Sequence, residues 1–148
     1  MEVEPDFRDL LKLFNEHRVN YIIVGAYAMA YHGVPRYTGD IDILVRPDRE
    51  NAKSIVSALD EFGFGSVGLT AEEFTAPDRV VQLGFAPVRV GIITSITGVS
   101  WEEAETGQGT GVYGDVPVYY IGKTQLIKNK RTLARKKDMA DLEALGEE

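Results

Sequence analysis

The run Tyr21-Ile22-Ile23-Val24 is aromatic and aliphatic, carries no charge, and stops at Gly25. A short unbroken apolar run of this kind reads as a buried strand, and a buried strand needs other elements packed on it. The flanking sequence supplies them. Residues 6–18 predict an opening helix, with Asp6 as its cap, Asp9 near the positive end of its dipole, and Phe7, Leu10, Leu11 and Phe14 as one apolar stripe. Residues 26–33 predict a short helix closed by Gly33. Residues 38–46, Thr-Gly-Asp-Ile-Asp-Ile-Leu-Val-Arg, predict a second strand. A full helix follows, opened by Asp48 or Pro47, striped by Ile55, Val56 and Leu59, and closed by Gly63 and Gly65.

Beyond an ambiguous stretch in which residues 71–74 form a helical turn, residues 79–85 and 88–95 predict two strands joined by a hairpin link. Ser100 caps a short helix, and Gly114-Asp115 turns a second hairpin. Two helices, from Lys123 to about Arg135 and from about Lys137 to Leu145, end the chain. This order predicts one α/β (α+β) domain over residues 1–148, a mixed sheet flanked by helices, with the C-terminal helices from about residue 123.

Composition narrows the function. The 148 residues fit a single domain, and the absence of cysteine excludes disulfides and thiolate metal sites. No apolar run approaches the roughly 20 residues that span a bilayer. The acidic, polar start reads against an export signal, so the expected location is cytoplasmic. A net charge of −7 argues against wholesale nucleic-acid binding. Residues 123–137 nevertheless hold seven of the sixteen Lys and Arg and no acid. Such an element is either a local anion site or a solvated helix face.

Asp40 and Asp42 interrupt the second strand. Side chains alternate along a strand, so Ile41, Ile43 and Val45 share one face, and Asp40, Asp42 and Leu44 the other. Two carboxylates this close repel unless something positive lies between them. Mg²⁺ (or Mn²⁺), held by carboxylates and substrate phosphates, answers that need. An exposed edge strand with two solvated acids is the alternative. Fifteen residues earlier, Gly25 permits a ligand to approach the backbone, and the helix after it offers free N–H groups to a phosphate.

Gly25-Ala26, His32-Gly33 and then Arg36-x-Thr38-x-Asp40-x-Asp42 resemble the minimal nucleotidyltransferases of the DNA polymerase β-like superfamily, in particular the group that includes AbiEii-type toxins. The later positions Leu126, Lys130, Arg135, Lys137, Asp138 and Asp141 match that group's C-terminal pattern. The resemblance spans roughly residues 7–145. It implies a nucleoside triphosphate over Gly25 and Ala26 and a divalent metal on Asp40 and Asp42 as the catalytic pair. Arg36 and Thr38 join the site, and Thr38 shares the face of Asp40. A nucleoside monophosphate then passes to an RNA, such as a tRNA end, or to a partner protein, in a toxin–antitoxin type system.

One position departs from the pattern. The family's third carboxylate, which helps hold the catalytic metal and activate the acceptor hydroxyl, falls at Gly91 in Arg89-Val90-Gly91-Ile92-Ile93-Thr94. Either another acid such as Asp78 or Asp115 replaces it, or the chain is a catalytically impaired nucleotide- or partner-binding module. A sugar-nucleotide transferase also uses Asp-x-Asp, but the chain is short for that fold.

Two lysines in the basic element stand out. Lys130 falls within the stripe of Leu126, Ile127, Leu133 and Ala134, where it either meets the triphosphate or snorkels out. Lys123 opens a helix, where the dipole disfavours a cation, which makes it a second candidate phosphate contact. Lys128, Arg131, Arg135, Lys136 and Lys137 either touch an RNA backbone or form a solvated face. His32, Trp101 and Tyr27 read as packing residues.

Overall fold

The computed structural model describes residues 3–35, 38–64, 68–85 and 88–147. Helix α1 (Pro5–Glu16) starts one residue before Asp6, and Asp6 is not its cap. Glu4 takes the cap position and Pro5 the first helical position, where a missing N–H costs nothing. Asp6 instead lies in the first turn, where the dipole favours an acid. The stripe Phe7, Leu10, Leu11 and Phe14 is buried as its spacing requires.

Strand β1 (Tyr21–Val24) is buried at all four residues. It runs into α2 (Gly25–Tyr31), β2 (Asp40–Val45) and α3 (Arg49–Leu59). Asp48 caps α3 by accepting from the Asn51 N–H at 2.7 Å. Gly63, at φ +116°, ends the turn after α3; Gly65 lies outside the described residues. A one-turn helix covers Ala71–Phe74. Strands β3 (Val80–Phe85) and β4 (Val88–Ile93) pair antiparallel, with residues 86 and 87 of their link outside the described residues. Helix α4 (Trp101–Gly107) carries the expected Ser100 capping box. Strands β5 (Gly109–Tyr113) and β6 (Val116–Tyr120) form the second hairpin. Helices α5 (Lys123–Leu133) and α6 (Lys136–Ala144) follow, separated by Ala134 in the left-handed conformation.

The six strands form one mixed sheet in the order β3-β4-β2-β1-β6-β5. β2 is antiparallel to β1 and parallel to β4, and β1 is parallel to β6. Alternation along the strands divides the core. Ile41, Ile43 and Val45 pack with Tyr21, Ile23, α1 and α3 on one face. Leu44, Ile22 and Val24 pack with α2, α5 and α6 on the other. The two faces explain why β1 is buried at all four residues and why the acids of β2 stand at alternate positions. Asp40 and Asp42 therefore stand on the α5–α6 side. Among the described residues, no helix is long and apolar enough to cross a membrane.

Candidate functional site

The site begins where β1 turns into α2. Gly25 has φ +70°, a conformation that side chains rarely adopt. Val24 pairs with Asp42 across the strands, so this turn lies beside the second acid. A Cβ on Gly25 would stand 2.5 Å from Asp42 Oδ2, and one on Gly91 would stand 2.8 Å from Asp42 Oδ1. Each oxygen of Asp42 thus rests in space that a side chain would fill. Burial, then the neighbouring Asp40, raises the Asp42 carboxyl above its ordinary range; Lys137 opposes them.

Asp40 is more open. Its side chain is 42 % exposed, and Arg89 Nε donates to its Oδ1 at 3.3 Å. Arg89 and Gly91 are the β4 partners of Asp40 and Asp42. Thr38 fixes the entry to the strand: its hydroxyl accepts from the Asp40 N–H at 3.1 Å and donates to the Asp40 carbonyl at 3.3 Å. Its visible role is to hold the backbone of Asp40. Arg36 lies outside the described residues.

A cleft of about 610 Å³ opens over Gly25, Ala26 and Asp42, closed on the far side by residues of α5 and α6 that include Asn129, Lys130 and Lys137. That size suits a small ligand. Grooves of about 550 and 600 Å³ lie elsewhere, at Trp101–Tyr119 and at Arg46–Asn51. Chemistry, rather than volume, distinguishes the cleft: it alone of the three joins a positive-φ glycine turn to a half-buried carboxylate and two lysines.

Of the candidate phosphate ligands, Gly25, Ala26 and Lys130 line this cleft, whereas Lys123 and Thr38 do not. Lys130 points inward as its place in the stripe demands, with 12 % of its side chain exposed. It meets protein carboxylates there, lying 2.8 Å from Asp141 and 3.8 Å from Asp138. Asp138 also accepts from Arg135 Nε at 2.6 Å and from the Arg135 N–H at 3.1 Å, which caps α6. Lys130 is therefore first a member of the ion network joining α5 to α6, and a phosphate would share it. Asp138→Ala should lower stability by about 1–2 kcal/mol in a denaturant titration, since it removes the cap of α6 and the carboxylate partner of Arg135, while Lys130 keeps Asp141. Arg135 chiefly holds the Asp138 carboxyl below its ordinary range. The contribution of Asp138 is then present at neutral pH and lost as pH falls through that depressed range, so the difference from wild type should shrink on acidification.

Lys137 is the residue that the sequence undervalued. It lines the cleft and acts electrostatically on Asp42. The dipole argument that singled out Lys123 applies equally to Lys137, at the second position of α6. The two stand-in acids separate. Asp115 is bound by Arg8 at 2.8 Å through both oxygens, on the β5–β6 turn. Asp78 does line the cleft, but its carboxylate accepts from Ser95 Oγ at 2.9 Å, and Ser95 lies two residues past the end of β4. No group of three or more acids and histidines able to hold a metal occurs among the described residues. His32 Nε2–H donates to the Ile121 carbonyl at 2.7 Å, and Tyr27 is buried, so both pack rather than line the cleft. Trp101 packs on the α5–α6 side of the core with its Nε1 buried and without a hydrogen-bond partner among the described residues.

Two carboxylates on one strand face are the donor chemistry that a hard divalent cation takes; Asp42 lines the cleft beside the glycine turn, and Asp40 lies outside its lining. No protein-family model matches the sequence, and no curated protein matches it. Among solved structures, a candidate nucleotidyltransferase from Thermotoga maritima superposes with a TM-score of 0.62 at 17 % identity, covering 97 % of this chain and 94 % of that one. This likeness is one of fold: the chain has a nucleotidyltransferase-like fold, a mixed sheet flanked by helices.

Proposed function

We propose that the chain binds a nucleoside triphosphate together with Mg²⁺ or Mn²⁺, the triphosphate over Gly25 and Ala26 and the metal on Asp40 and Asp42. The observation that carries this reading is the placement of Asp42. Its carboxylate lies against the Gly25 turn, in a cleft whose opposite wall presents Lys130 and Lys137. A bound metal would neutralise phosphate charge as it develops in an in-line displacement. The chain's own part is to hold and orient. The start of α2 offers backbone N–H groups to phosphate, and Lys137 balances charge near Asp42.

The transfer consistent with this site forms a bond from an acceptor hydroxyl oxygen to the α-phosphorus. The bond to the α–β bridging oxygen breaks, pyrophosphate leaves with that electron pair, and the hydroxyl proton passes to solvent. The resemblance to AbiEii-type proteins points to a tRNA or other RNA, or a partner protein, as the acceptor. A second reading is a nucleotide- or partner-binding module without turnover, and Gly91 beside Asp42 is the observation that favours it.

Calorimetric titration of the four NTPs with and without Mg²⁺ tests the site. Metal-dependent binding is expected in the wild type and should disappear in Asp40→Asn/Asp42→Asn. Equal metal-dependent binding in that double variant would refute the placement. Labelled nucleotide appearing on tRNA or protein then separates transfer from binding alone.

A further inference from the structure

We infer that the site is built to hold one divalent cation rather than two, because β4 presents Arg89 beside Asp40 and no carboxylate; this rests on the metal–nucleotide reading above. Register partners on adjacent strands project to the same face, so β4 faces this side through Arg89 beside Asp40, residue 91 beside Asp42 and the apolar Ile93 beside Leu44, and none of the three is an acid. Arg89 brings a positive charge, and its Nε already engages Asp40 Oδ1. Gly91 brings no side chain.

Gly91 is not an empty ligand position. The space where its Cβ would begin is taken by Asp42 Oδ1 at 2.8 Å, while Gly25 leaves room for Oδ2 on the other side. The two glycines form a slot that accepts one carboxylate from β2. A carboxylate built on residue 91 would first have to displace Asp42. Paired-metal sites hold their ions about 3.5–4 Å apart, and two dications that close need more carboxylate charge around them than one does. Here one oxygen of Asp40 accepts from Arg89, Asp42 lies in the slot, β4 offers no acid, and the other two acids lining the cleft are engaged, Asp78 by Ser95 and Asp141 by Lys130. The oxygens that remain serve one ion with the phosphates and water completing its shell, as Mg²⁺ accepts.

Mn²⁺ electron paramagnetic resonance and equilibrium dialysis on the full chain read this out, using α,β-methylene analogues of the four NTPs. One Mn²⁺ per chain with an uncoupled six-line spectrum is expected. Two Mn²⁺ per chain with a spin-coupled spectrum would overturn the inference and leave the nucleotide-site reading standing. No Mn²⁺ bound with any analogue would overturn both. Arg89→Met should tighten the single Mn²⁺ by roughly threefold to tenfold, the effect of removing one half-exposed positive charge at contact distance. Unchanged or weaker binding would overturn the part assigned to Arg89. Gly91→Ala should weaken Mn²⁺ binding with little change in Tm, because the atom displaced is the mobile end of Asp42. Wild-type affinity in a folded Gly91→Ala would remove the slot.

Discussion

Gly25→Ala should abolish metal-dependent nucleotide binding and lower stability by about 1–2 kcal/mol, the usual penalty for an L-residue held in the left-handed region. Two effects combine at this position. The backbone has φ +70°, and the new Cβ would lie 2.5 Å from Asp42 Oδ2 and 3.2 Å from Asp42 Cβ. The carboxylate must therefore leave the metal-facing position, or the turn must move and take its phosphate-facing N–H groups with it. Gly33 provides the control. It has φ +94° at the other end of α2, yet a Cβ there meets nothing within 4 Å. Gly33→Ala should share the loss of stability and keep nucleotide binding. Chemical denaturation and Mg²⁺–NTP calorimetry on the two variants separate strain from displacement. If Gly25→Ala binds as the wild type does, the turn is not the phosphate cradle.

Much of this site was legible from spacing alone. The strand period placed Asp40 and Asp42 on one face and opposite the apolar Ile41, Ile43 and Val45, because a sheet packed on both sides leaves no other arrangement. The helical period turned Lys130 inward. Neither period specifies a partner, however. Lys130 meets Asp141 and Asp138 because α6 folds back along α5, and that return depends on the left-handed Ala134, which carries no sequence signal.

The same limit applies to β4. The resemblance singled out residue 91 as the position where that family carries an acid, but only the parallel register showed Asp42 occupying that space. Lys137 was undervalued for a related reason. With Arg135 and Lys136 it makes the local pattern read as a solvated basic run, whereas the fold brings Arg135 and Lys137 to the lining of the cleft and leaves Lys136 outside it. Long-range placement, and not local propensity, separates the two readings. Asp6 failed as a cap on local grounds instead, since Pro5 moved the helix start one residue earlier.

Asp42→Asn should stabilise the metal-free protein at neutral pH while removing metal-dependent nucleotide binding. Burial, reinforced by Asp40, raises the Asp42 carboxyl in the folded state, so folding favours its protonated form. The sign follows from linkage. Below the ordinary carboxylate range Asp42 is protonated in both states and carries no penalty. As pH rises through the ordinary range and then the raised one, the folded protein must hold a charge that the unfolded chain solvates better, and stability falls. Asparagine is free of that charge, so its gain in Tm should be full at neutral pH and vanish on acidification. Metal binding should run the opposite way in the wild type, tightening as pH rises through the raised carboxyl, because the cation binds the ionised form. Thermal melts and Mn²⁺ isotherms over the same pH series test both halves. A metal-free Asp42→Asn that is less stable than wild type at neutral pH would mean that the carboxylate serves packing, whereas greater stability with lost binding marks a charge that the fold tolerates for its ligand.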